Sequence, residues 1–113
     1  NVSIAVSIAS PIATPVTVTI STVLNIFYGS VTGAWLVGAS SNAAIGYTSS
    51  SSNGNGSYVS NMTLTVPQLT ATTTLLFQTT NSPLMPLAGS RLSISIYNSS
   101  MIFYNNPQVA IAQ

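Results

Sequence analysis

With 113 residues, 46% of them hydrophobic, the chain has room for one domain and enough apolar material for a core. Arg91 is its only charged side chain: Lys, Asp, Glu and His are absent, and so is Cys. Acid–base catalysis, an activated serine nucleophile, zinc or calcium coordination, disulfides and phosphate-backbone binding all draw on residue types missing here, so the composition points to a structural chain without cofactors.

Taken in chain order, period-two alternation dominates, the mark of half-buried strands. Over residues 2–9, Val2, Ile4, Val6 and Ile8 alternate with Ser3, Ala5, Ser7 and Ala9. Pro11 and Pro15 then bracket a short connector. Val16, Val18 and Ile20 alternate with Thr17, Thr19 and Ser21 in a second strand. A short helical turn near residues 22–28 is the one place where the pattern admits something other than β structure. Gly29 and Gly33 are expected to flank a turn, with weaker strands at 31–37 and 45–48. Residues 49–57, SSSSNGNGS, read as an exposed low-complexity loop. Met62, Leu64 and Val66 define a strand that Pro67 ends, and a further weak strand spans 73–79. Pro83, Pro86 and Gly89 mark a long loop before the strand of Leu92, Ile94 and Ile96. Weak strands at 101–104 and 108–112 are separated by a tight turn at Asn105-Asn106-Pro107. Eight or nine short strands, with few helix formers and no internal repeat, predict a single all-β domain, an immunoglobulin-like β-sandwich. No apolar run reaches the ~18 residues of a membrane span.

The first strand stands apart from the others. One face carries only large aliphatics and the other only Ser and Ala, and the connector behind it is stiffened by two prolines. An apolar strand of this kind is an aggregation hazard if left free, and it makes sense if it fills a groove in a second copy. Burying Val2, Ile4, Val6 and Ile8 would contribute on the order of 6–12 kcal/mol before ordering costs. A head-to-tail contact of this type does not close on itself and generates a filament. The expected division is therefore a donor strand at 1–10, a connector at 11–15 and a sandwich body at 16–113. The competing arrangement is an ordinary first strand paired within its own sandwich.

A nearly uncharged monomer associates readily, so either assembly or covalent sugar is expected. N-x-S/T acceptor sequences occur at Asn1, Asn55, Asn61 and Asn98, which predicts N-linked glycans and an exported protein. The first residue being Asn1 and not Met fits that expectation. With no carboxylate side chain and no His, little titrates between acid and neutral pH, and stability should barely change over that range. Trp35, Tyr47, Tyr58, Tyr97 and Tyr104 are expected mainly in the core and on sheet faces; stacking on sugar is their alternative use. Arg91 is expected to cap carbonyls, sit in solvent or bridge subunits.

The alternating strand at residues 2–9, the Pro11–Pro15 connector, the Ser/Thr/Asn-rich body, the near absence of charge and the four sequons together resemble the subunits of archaeal threads. These are thin extracellular filaments of thermoacidophiles in which the N-terminal strand of one subunit completes the sandwich of the next. The resemblance spans the chain and rests on organisation and composition. It implies an extracellular, glycosylated homopolymer joined head-to-tail, with Val2, Ile4, Val6 and Ile8 at the subunit interface. Chaperone–usher pilins, which commonly hold a disulfide, and type IV pilins, which begin with a long hydrophobic helix, look different. The alternative function is a carbohydrate- or surface-layer-binding sandwich module.

Overall fold

The computed structural model describes residues 2–21, 27–28, 30–50, 58–80 and 92–112. Among them the alternating runs become strands: β1 (Val2–Ser7), β2 (Val16–Ser21), β4 (Val31–Leu36), β6 (Gly46–Ser50), β8 (Asn61–Val66), β9 (Thr72–Thr79), β10 (Ser93–Tyr97), β11 (Ile102–Asn105) and β12 (Gln108–Ala112). These nine match the expected runs to within a residue or two. Three two-residue strands, β3 (Phe27–Tyr28), β5 (Ala43–Ala44) and β7 (Tyr58–Val59), were not legible in the pattern, because two residues carry no period. There is no helix among the described residues. Phe27 and Tyr28, which the sequence allowed as helical, pair as β3 with β7, while residues 22–26 lie outside the described ones.

Every pairing is antiparallel. Sheet 1 runs β12-β1-β9-β4-β5 and sheet 2 runs β11-β10-β2-β8-β6. The inward faces of the two sheets supply the core, as period-two strands must when one face is buried. Val2, Ile4, Val6, Leu75, Phe77 and Ala34 come from sheet 1; Val18, Ile20, Met62, Leu64, Ile94 and Ile96 come from sheet 2. Phe77, the largest of the fully buried side chains, is 0% exposed. No buried side-chain polar atom among the described residues lacks a hydrogen-bond partner.

The outward face of sheet 2 explains how the chain meets water without charge. Thr19 lies between Ser95 and Thr63, and Thr63 between Thr19 and Thr48, so hydroxyls form a row across four strands. Ser21 likewise sits between Ser93 and Asn61.

Two details depart from the sequence expectation. Gly33 does not flank a turn; it lies inside β4, where the register slips between Val31 and Gly33 and leaves Thr32 as a bulged residue. The Thr32 hydroxyl closes the bulge by donating to the Gln78 carbonyl at 3.2 Å. The extra residue switches which face each later side chain occupies, so Val31 and Ala34 both point into the core. The second departure is the start of the expected low-complexity loop: Ser49 and Ser50 extend β6, and residues 51–57 lie outside the described ones. The turn at Asn105-Asn106-Pro107 is present, with Asn106 in the left-handed region at φ 54°, a conformation Asn tolerates better than most residues.

Candidate functional site

β1 is an interior strand of sheet 1, one in from the β12 edge. On one side Ser3, Ile4, Ala5, Val6 and Ser7 pair with β12, and on the other Val2 to Ser7 pair with β9. Val2, Ile4, Val6 and Ile8 are 0%, 0%, 2% and 8% exposed, all within the single core cluster. In one copy of the chain, then, the slot between β9 and β12 is filled by the chain's own β1, and the open groove expected of an extended donor strand is absent. The physical reason is that an empty slot would leave two unpaired strand edges and bare apolar surface in water. Among the described strands β12 pairs only with β1, so withdrawing β1 would cut β12 off from the sheet.

The connector crosses from sheet 1 to sheet 2 and is tied down at a few points. The Ile8 N–H donates to the Ala71 carbonyl at 2.9 Å, and Ile12 and Leu69 exchange a reciprocal pair of backbone bonds, each 2.9 Å. Tyr104 on β11 grips the backbone between them: its hydroxyl accepts from the Ser10 N–H at 2.7 Å and donates to the Ser10 carbonyl at 3.3 Å. Pro11, Ala13, Thr14 and Pro15 are exposed, and a cleft of about 410 Å³ opens between this segment and Phe103 and Tyr104. The connector is therefore anchored at its middle by Ile12, 7% exposed and part of the core cluster, while the residues on either side of it are exposed.

Of the predicted sugar acceptors, Asn1 and Asn55 lie outside the described residues. Asn61 opens β8, half-buried between Ser21 and Ser50. Asn98 sits in the β10–β11 hairpin, where its Oδ1 accepts from the Ser100 N–H at 2.8 Å and the Met101 N–H at 3.0 Å. That Asx arrangement leaves the side-chain nitrogen, the atom a glycan attaches to, pointing away from its own turn. Arg91 also lies outside the described residues.

The aromatics divide by environment. Tyr47 packs against the core and its hydroxyl donates to the Val31 carbonyl at 3.1 Å; Tyr104 packs against the core and holds Ser10. Tyr97 is half-buried on β10, and the side chain of Tyr58 lies outside the described residues. Trp35 is outside the core cluster and faces away from it, which the sequence did not reveal because the β4 bulge decides it.

The fold defines an all-β protein of two five-stranded antiparallel sheets packed as a sandwich. No family model, curated protein or solved structure matches the chain.

Proposed function

We propose that the chain is the structural subunit of an extracellular, N-glycosylated filament, an immunoglobulin-like sandwich that polymerises head-to-tail by lending β1 to the slot of the next copy. The observation that carries this reading is the position of β1: an interior strand of sheet 1, paired on both edges, that only the proline-bracketed segment 8–15 joins to β2 of the other sheet. The partner's β1 would meet the same β9 and β12 edges and the same apolar pocket, so exchange keeps the contacts of the closed form and is a low-cost route to assembly. Residues 8–15, stretched out, span at most about 28 Å, enough to reach a body packed alongside. Proline stiffening of a short hinge favours the open, exchanged form over a tight fold-back.

Cross-linking tests this directly. Ala5 and Thr74 face each other across β1 and β9 and are both half-buried. In the double variant Ala5→Cys, Thr74→Cys, oxidation of assembled material followed by denaturing electrophoresis should yield a ladder of covalent multimers, and electron microscopy should show fibres. A single band with the bond entirely within one chain, together with an absence of fibres, sinks the proposal.

A further inference from the structure

Trp35 is the only tryptophan in the chain, and it lies on the solvent face of sheet 1. The far edge of its six-membered ring occupies the space that a Cβ on Gly33 would fill. Two residues apart on one strand share a face, so the indole lies down along β4 and does not stand off the sheet. Beside it across the strands are Leu76 on β9 and Ala44 on β5. Gln78 opposes Gly33, one row to one side, and Thr74 stands two residues from Leu76 on the other. Leu76 and Trp35 are half-buried, Gln78 and Ala44 are exposed, and the indole N–H has no acceptor among the described residues.

We propose that this face is a carbohydrate-binding platform: the apolar face of a neutral sugar ring stacks on Trp35 and Leu76, while the indole N–H, the Gln78 amide and the Thr74 hydroxyl take its hydroxyl groups. The chemistry of the surroundings selects this ligand. No described residue is charged, so an acidic peptide, a nucleic acid or a phosphate would find no counter-charge on the face. The strongly apolar strip is narrow. Strands lie about 4.8 Å apart and same-face rows about 6.7 Å apart, so Trp35 and Leu76 together span about one or two sugar rings before polar side chains begin. A stable interface with a second copy needs roughly 800 Å² from each partner, far more than this strip offers. Amide and hydroxyl groups flanking a recumbent aromatic supply the paired donors and acceptors that a ring of hydroxyls demands. The bulge at Thr32 is what turns Trp35 outward, and Gly33 is what lets it lie flat. This inference does not depend on strand exchange and stands or falls separately from it.

A neutral oligosaccharide could come from an external polysaccharide or from a glycan on a neighbouring copy. Because Trp35 is the sole tryptophan, its emission reports the face alone. Unglycosylated protein titrated with mannose, glucose and N-acetylglucosamine hexasaccharides should show a saturable blue shift with at least one of them. Trp35→Ala should weaken retention on the same sugar by about tenfold or more, the order of one lost stacking contact, and Trp35→Phe should lose less. Gln78→Ala, at an exposed site that does not threaten the fold, should weaken it several-fold. Protein glycosylated at its sequons whose emission is already shifted, and reverts on enzymatic removal of the glycan, assigns the site to the chain's own sugars; a shift only on adding sugar assigns it to external glycan. Absence of any shift at millimolar sugar overturns the proposal. So does binding that Trp35→Ala leaves unchanged, or an emission shift that follows self-association with no sugar present.

Discussion

Val6 tests whether β1 is a structural member of the sandwich. It is 2% exposed, and it lies between Thr73 on β9 and Val109 on β12, in the middle of both ladders. Val6→Asp removes an apolar burial of about 1.5–3 kcal/mol. The introduced carboxylate would also be dehydrated, with no cation among the described residues to meet it. An uncompensated buried charge costs about 3–5 kcal/mol. Together the loss is about 5–8 kcal/mol, comparable to the whole stability of a typical domain, about 5–15 kcal/mol. The charge part depends on pH in a defined direction. Burial raises the folded-state pKa of the new carboxyl above its unfolded value of about 3.9, so the neutral, better tolerated form prevails in both states below that pH. Stability of the variant is then greatest in acid and is lost as pH rises toward the raised folded value. The assay is chemical denaturation of dilute, unassembled protein at pH 3 and pH 7, followed by Trp35 emission. Val6→Asp should be close to unfolded at pH 7, partly rescued at pH 3, and unable to form fibres at either. Ser7→Thr, on the outward face, should stay within about 0.5 kcal/mol of wild type. A loss at pH 7 below about 1 kcal/mol, or one that ignores pH, would refute the burial of β1.

The unsubstituted chain should behave oppositely: with no Asp, Glu or His its thermal midpoint should move by only a few degrees between pH 3 and pH 7 when assembly is held equal, and a large drop in acid would contradict the argument. Asn98→Ala removes the acceptor of two backbone N–H groups and should cost about 1 kcal/mol in unglycosylated protein. In native material the intact mass should exceed 11.6 kDa, with adducts mapping to Asn55, Asn61 or Asn98; an unmodified mass would remove sugar as the source of solubility. Gly33→Ala drives a Cβ into the far edge of the Trp35 ring, so the indole must move off the strand and its emission should shift, and an unchanged spectrum would mean the ring does not lie where described. Deleting residues 1–10 should abolish fibres and leave a strongly destabilised chain that a synthetic peptide of that sequence refolds by refilling the slot; a truncated chain that forms fibres and ignores the peptide would rule out strand exchange.

Sequence alone settled the nine longer strands and the all-β class of the fold. Alternation in β1, β2, β8 and β10 is read directly as a strand with a buried face, because the side-chain period of two is a local property of extended backbone. Solvation by hydroxyls and the expected pH indifference also follow from composition, since they depend on which groups exist and not on where they lie. Position was another matter. Nothing in residues 2–9 says whether their apolar face meets their own body or another, because the same ladder and pocket serve either, and only the pairing of β1 with β9 and β12 reveals the slot between those two strands. The grip of Tyr104 on Ser10 joins residues 94 apart in sequence, a contact with no local signal. Trp35 shows the difference most sharply. Read by alternation from Val31, it belongs to the buried face with Gly33. One bulged residue, Thr32, reverses that assignment and turns the half-buried indole to the outward face, because a shift of one residue along a strand turns every later side chain to the other side.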